Sequence, residues 1–194
     1  MCNYDACTAI LLAAGSGSRF DPTGKRDKLL QSLADGCSVA VASAANLLAI
    51  MPRVLAVVRP GATELQAELR AIGCETTVCA EARQGMGASL AHAIGQSRDA
   101  AGWIVALADM PYVKPATIRA LLDALQGGAE IAAPCCDGQR GNPVAFSRIH
   151  LAHLLALSGD QGARHLLQSY PVRLVEVNDA GVLRDIDRPQ DLAR

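Results

Sequence analysis

The sequence is poor in aromatic residues: one Trp, three Tyr and two Phe make up 3% of its 194 residues. That excludes an aromatic-rich β-sandwich. The core must be assembled from Ala, Leu and Val, which suits helices packed closely on a sheet. An excess of one charge is also missing. Eighteen Lys and Arg stand against nineteen Asp and Glu, a formal net charge of -1, so no broad basic field is available to hold nucleic acid or a membrane surface. Phosphate recognition must therefore be local. No apolar run approaches the ~18 residues of a membrane-spanning helix. Asn3, Tyr4 and Asp5 occupy the place of a basic leader segment. The seven cysteines, at 2, 7, 37, 74, 79, 135 and 136, are odd in number and form no C-x-x-C pair. They read as reduced thiols serving as small hydrophobes in a cytoplasmic protein, not as a zinc ribbon or disulfide framework.

What is present is an alternation of apolar and periodic segments within a length suited to one domain. Residues 8–14 (TAILLAA), 53–58 (RVLAVV), 76–79, 103–107 (WIVAL) and 130–133 read as short buried strands. Residues 38–50, 63–72 and 86–96 between them read as helices, with Gly73 ending the second. Ile118, Leu121, Leu122 and Leu125 mark one face of a further helix, entered at Pro115 and closed by Gly127-Gly128. Beyond it come a loop over 137–143, a strand-like 144–146, two short helical patterns, strands near 172–177 and 182–186, and a helical turn after Pro189. The order predicts an α/β fold: a three-layer sandwich around a mostly parallel sheet, with a small α+β lobe at the C-terminus. The single domain 1–194 divides into a core over 1–134 and a second portion over 135–194.

Ligands of open α/β sheets bind beyond the C-terminal ends of the strands. The loop after the first strand reads Leu12-Ala13-Ala14-Gly15-Ser16-Gly17-Ser18-Arg19-Phe20, followed by Asp21-Pro22-Thr23-Gly24-Lys25-Arg26-Asp27-Lys28. Its glycines let backbone N–H groups approach phosphate oxygens. Arg19, Lys25, Arg26 and Lys28, against Asp21 and Asp27, suit a polyphosphate that a metal ion also neutralises. A dinucleotide fingerprint fails at Phe20, and a Walker A loop fails at Arg19 and Arg26. Asp109, at the end of the 103–107 strand, is costly as an isolated charge and fits either a metal ligand or a helix cap. Asp185 and Asp187 alternate onto one side of the last expected strand.

These strings resemble the nucleotidyltransferases related to the molybdenum cofactor cytidylyltransferases. The run LAAGSGSRF…DKLL is similar to that family's L-A-A-G-x-[SG]-x-R-[MF]…K-L-L signature. The resemblance implies a Rossmann-like, GT-A-like fold in which Leu12, Ala13, Ala14, Gly15 and Gly17 wrap a nucleoside triphosphate while Arg19 and Lys28 neutralise it. The insertion over 21–26 leaves Lys25 as a rival to Lys28. LAAG is similar to the cytidylyltransferase version of the loop and implies CTP. LADMP at 107–111 resembles the family's metal motif and implies that Asp109 holds Mg²⁺. Asp187 is preferred to Asp185 as its companion, by analogy with sugar-nucleotide transferases. Residues 84–90 (QGMGASL) resemble the segment by base and ribose, implying roles for Gly85 and Ser89.

Residues 138–146 (GQRGNPVAF) and 159–164 (GDQGAR) resemble acceptor-side segments, implying Arg140, Gly141, Asn142, Asp160 and Arg164 as acceptor contacts. Asn142 stands where the family usually has His. The implied reaction joins a cytidylyl group to a molybdopterin-type phosphate acceptor, whose product a molybdoenzyme could receive. A GTP or ATP donor, a sugar or alcohol phosphate acceptor, and a non-catalytic molybdenum-cofactor chaperone stay open as alternatives. His150 and His153, at i and i+3, read as ordinary helix surface without a third ligand. His92 and His165 carry no pattern.

Overall fold

The computed structural model describes residues 6–160 and 162–193. Its sheet has eight strands: β1 (Cys7–Ala13), β2 (Val54–Val58), β3 (Glu75–Val78), β4 (Gly102–Leu107), β5 (Ile131–Cys136), β6 (Gln139–Arg140), β7 (Val144–Ser147) and β8 (Val172–Glu176). Their order is β3-β2-β1-β4-β7-β5-β6, with β8 paired to β5. The helices are α1 (Val39–Leu48), α2 (Thr63–Ala71), α3 (Met86–Gln96), α4 (Pro115–Gln126), α5 (Leu151–Leu155) and α6 (Arg164–Ser169).

The side-chain alternation of β1 builds the layers. Ala9, Leu11 and Ala13 join a buried cluster with Ala44, Leu65 and Ile118 of α1, α2 and α4. Ile10 points to the other face, among Leu90 and Ile94 of α3 and Leu154 of α5. A strand buried on both faces must be apolar throughout, as residues 8–14 are. Fully burying Ile10 and Leu11, each 0% exposed, stabilises the fold by roughly 1.5–3 kcal/mol apiece. Trp103 is also fully buried, and its indole N–H donates to Ser97 Oγ at 3.0 Å.

The parallel pairs β1–β2, β1–β4, β2–β3 and β5–β8 bear out the mostly parallel sheet. β7 is inserted antiparallel between β4 and β5, so the C-terminal strands extend the same sheet. The expected strand over 182–186 is corrected to a 3-10 turn, Ala180–Leu183, followed by extended chain. Asp179 explains why. Its carboxylate accepts from Gly181 N, Lys114 N and Thr117 Oγ1 at 3.0, 2.8 and 2.6 Å, and such local capture competes with a strand ladder. The loop over 137–143 also differs, because Asp137 and Gly138 both have positive φ (51° and 74°). That is the two-residue turn of a hairpin, and it pairs β6 with an extended β5.

His150 is corrected from surface to core. It is 1% exposed, edge-on to Tyr170 at 4.7 Å between ring centroids. Its Nε2 lies 3.5 Å from Glu130 Oε2, too far for a well-made hydrogen bond, and Nδ1 makes none among the described residues. Burial lowers its pKa below the usual 6.5, with His153 adding to the fall and Glu130 partly opposing it. Because the unfolded chain binds this proton at higher pH than the folded one, stability falls as pH drops below about 6.5. Thermal melts at pH 7.5 and 5.5 should show that loss in wild type and a smaller loss in His150→Phe. An equal loss in both would place its origin elsewhere.

Candidate functional site

From β1 the chain winds outward to β2 and β3 and then crosses back to β4 on the other side of β1, so the C-terminal ends of β1 and β4 form the switch point where α/β sheets take ligands. Ala108 N donates to Leu12 O at 3.1 Å and closes the two strand ends together. Ser43 of α1 donates to Ala108 O at 2.8 Å. Asp109 follows at the rim. Its backbone oxygen accepts from Ile186 N at 2.9 Å, which lays the extended residues 184–187 alongside. Asp191 accepts from the N–H groups of Asp187 and Arg188 at 3.1 and 2.8 Å and fixes the end of that segment.

Ligand oxygens of Asp109, Asp185 and Asp187 lie within 4.8 Å of one another. Lys28 Nζ is 2.5 Å from Asp109 Oδ2 and 3.4 Å from Asp187 Oδ1. Arg19 meets Asp187 Oδ2 at 2.6 Å. Hydrogen bonding from Arg19, reinforced by Lys28, holds the Asp187 carboxyl below its ordinary pKa. Asp185 is pushed the other way, first by desolvation and then by the charges of Asp187 and Asp109. Three carboxylates against one part-buried ammonium and one exposed guanidinium leave anionic capacity in excess. Buried Asp109 Oδ1, moreover, has no hydrogen-bond partner among the described residues. Hard carboxylate oxygens converging in this way fit a divalent cation of the Mg²⁺ or Mn²⁺ class.

The glycine loop comes over this cluster. Gly17, at φ +64°, bends it, and its carbonyl accepts from Phe20 N and Asp21 N at 2.9 and 3.1 Å. Asp21 organises the insertion by accepting from Thr23 N and Arg26 N, both at 2.8 Å. Lys25 is exposed on it, so of the two rival lysines only Lys28 reaches the carboxylates. Asp27 caps the 3-10 turn Lys28–Leu30 by accepting from Leu29 N.

The family match agrees with this geometry: the MobA-like NTP transferase domain covers residues 9–176. The chain belongs to that family. This MobA-like chain is 31% identical over 119 residues to the purine catabolism protein PucB of Bacillus subtilis (strain 168), a match spanning 59% of this chain and 57% of PucB. Rv0371c of Mycobacterium tuberculosis H37Rv is 29% identical, with a TM-score of 0.83 over 97% of this chain and 96% of that one. A second Rv0371c structure, in complex with manganese, is 29% identical with a TM-score of 0.77 over 97% of each chain. Membership gives the chain an NTP transferase domain over residues 9–176. No helix among its described residues is long and apolar enough to cross a membrane.

The remaining sequence-derived residues of this MobA-like domain separate into two places. Arg140, Gly141 and Asn142 line a cleft of about 230 Å³ that they share with Asp185 and Leu107. Asn142 N donates to Val182 O at 2.9 Å. Asp160 lies instead against Gly85: a Cβ on Gly85 would come 2.2 Å from Asp160 Oδ1. Gly159 and Asp160 thus pack on the base-side segment, and Gly162 lies against Met86 of the same segment. Arg164 is exposed at the start of α6. Ser89 is 4% exposed, its hydroxyl 3.5 Å from Gly85 O within α3. Burial places it on the core-facing side of α3.

Arg59 carries no sequence signal. It follows β2, donating to Gly15 O at 2.8 Å and to Asp27 Oδ2 at 2.6 Å, and so ties the glycine loop to the cap of the Lys28 turn. Arg59→Ala should raise the KM for nucleotide roughly tenfold, equivalent to about 1.4 kcal/mol, with a smaller change in kcat. Steady-state kinetics with an unchanged KM would show that the loop holds its shape without it.

Proposed function

We propose that the protein is a Mg²⁺-dependent cytidylyltransferase that joins CTP to a molybdopterin-type phosphate acceptor in the cytoplasm and releases pyrophosphate. The observation that carries this reading is the convergence of Lys28 on Asp109 and Asp187 beneath the loop of Gly15, Gly17 and Arg19. Residues 1–134 bind the nucleotide and residues 135–194 supply the acceptor side and the last carboxylates. That a relative has been solved in complex with manganese supports the use of a divalent metal here.

In the proposed reaction Arg19 and Lys28 exchange their carboxylate partners for triphosphate oxygens, and amides of residues 15–19 orient the chain of phosphates. Asp109 and Asp187 would hold Mg²⁺, with Asp185 beside them. The ion supplies positive charge to the phosphate oxygens as charge develops. Arg140 and Asn142 hold the acceptor so that its phosphate oxygen lies in line with the α-phosphorus. A bond forms between those atoms, the bond from the α-phosphorus to the β-bridging oxygen breaks, and pyrophosphate departs. No side-chain nucleophile is needed; positioning and electrostatics do the work. The amide of Asn142 retains hydrogen-bonding capacity at a position where the family usually places His but contributes no titratable proton.

Pyrophosphate release should be assayed with CTP, GTP and ATP in turn, against molybdopterin and against sugar and alcohol phosphates. The proposal expects release above background only with molybdopterin and highest with CTP. Release with another donor or acceptor would reassign that half of the reaction. No release with any pair, alongside tight cofactor binding, would favour the chaperone reading.

A further inference from the structure

Away from the carboxylates, the connection from β3 to α3 gathers a second set of metal-ligating groups. We infer that Cys79, Glu81 and His92 form a binding site for a borderline-soft divalent metal ion of the Zn²⁺ or Co²⁺ class, which joins β3 to α3 beneath the Gly85–Ser89 segment. One ligand atom from each of the three residues lies within 4.8 Å of the others. Their chemistry differs from that of the aspartate cluster. A thiol sulfur, an imidazole nitrogen and a carboxylate oxygen make up a donor set that Zn²⁺ takes with a fourth position open, whereas Mg²⁺ rejects sulfur.

Local structure arranges the three. Cys79 N continues the ladder beyond β3 by donating to Val58 O at 3.0 Å. The two-residue period then sets Cys79 on the same face as Thr77, toward α3. Cys79 is completely buried among Leu90, Ala93 and Ile94. Packing alone would account for a small hydrophobe there, but not for a carboxylate and an imidazole converging on its sulfur. Glu81 Oε2 is 3.9 Å from Cys79 Sγ, and the Ala88 carbonyl is at the same distance. The Thr77 hydroxyl lies 2.7 Å from His92 Nε2. It limits rotation of the ring and, with the proton on Nε2, leaves Nδ1 as a lone-pair donor. Metal-binding imidazoles are commonly held by such an outer partner. Exposed Glu81 and half-buried His92 give an ion a way in.

Binding replaces the Cys79 S–H bond with a sulfur–metal bond and releases the proton to solvent. The ion would tether the 3-10 turn Ala82–Gln84, and with it Gly85, to the start of α3.

Co²⁺ titration of the chelator-treated full chain, followed by absorption, tests this. The expected result is a thiolate-to-cobalt band in the near ultraviolet that saturates at stoichiometric metal and is not displaced by excess Mg²⁺. Oxygen ligation at Asp109 and Asp187 gives no such band. Cys79→Ser should abolish the band and Cys37→Ser should leave it unchanged. Thr77→Val and the surface variant Glu81→Gln should each weaken Co²⁺ binding about 10-fold or more. These two keep the test decisive if Cys79→Ser fails to fold. A wild-type protein without the band, a band that survives in Cys79→Ser, or wild-type affinity in Glu81→Gln would overturn the site.

Discussion

Asp109→Asn is expected to lower kcat by about 10³-fold or more while the protein stays folded. The substitution keeps the side chain's size and one oxygen but removes the charge that makes it a cation ligand. Losing a single well-placed electrostatic partner of a transition state costs on the order of 10²–10³ in rate. Asp109 has two such tasks, since it holds Lys28 as well as facing the metal position. The fold should tolerate the change. Oδ1 has no partner to lose among the described residues, and Lys28 keeps Asp187 at 3.4 Å. A stability loss of about 1–3 kcal/mol is expected from the weakened charged hydrogen bond. Turnover and melting temperature measured on the same preparation separate the two effects. A near-normal kcat at fixed Mg²⁺ would move the metal site away from Asp109.

The second large effect is steric. Gly181 lies so close to the backbone that a Cβ there would stand 2.0 Å from Tyr112 O and 2.4 Å from its carbonyl carbon. Neither atom can swing aside as a flexible side-chain tip could. Gly181→Ala should therefore displace the 3-10 turn Ala180–Leu183 and destabilise the protein by about 3 kcal/mol, the upper part of the range for overpacking. The same turn offers Val182 O to Asn142 N and leads into Asp185 and Asp187. Its displacement should lower kcat even below the melting temperature. Denaturant unfolding and kinetics at low temperature check both halves. A variant with wild-type stability and turnover would show that residues 180–187 can shift without moving the carboxylates.

Both predictions depend on segments of unequal visibility in the sequence. The glycine loop, Lys28 and Asp109 were legible because each lies in a short contiguous string, and the strand ends before them are buried on both faces. Their mutual contact could be anticipated from the switch-point rule. Arg59 was invisible because its partners, Gly15 and Asp27, are far away in sequence and met only through the sheet. The run Val182-Leu183 with Ile186 resembled a strand in composition, yet Asp179 captures the backbone before it and gives a turn. Asp185 and Asp187 still reach Asp109, through the Ile186 bond to Asp109 O instead of a strand's alternation. The insertion of β7 between β4 and β5 was not legible either, because a short apolar strand does not reveal which neighbour it will pair with. The Asp137-Gly138 turn, by contrast, was an available hairpin signal.

His150 and Ser89 illustrate a second limit. Both are polar residues that the structure buries, and the sequence spacing did not distinguish them from surface or ligand-facing positions. The face of a short helix is set by what packs on it, here Tyr170 and Phe146 around His150.

The most direct test follows the phosphorus atoms. Wild-type protein with Mg²⁺ and molybdopterin should be given CTP labelled at the α-phosphate in one reaction and at the γ-phosphate in another. Cytidylyl transfer predicts that the α-label moves onto the acceptor while the γ-label leaves in pyrophosphate, and that both transfers vanish in Asp109→Asn. An α-label that never joins an acceptor, or a γ-label found on one, would contradict nucleotidyl transfer at this site.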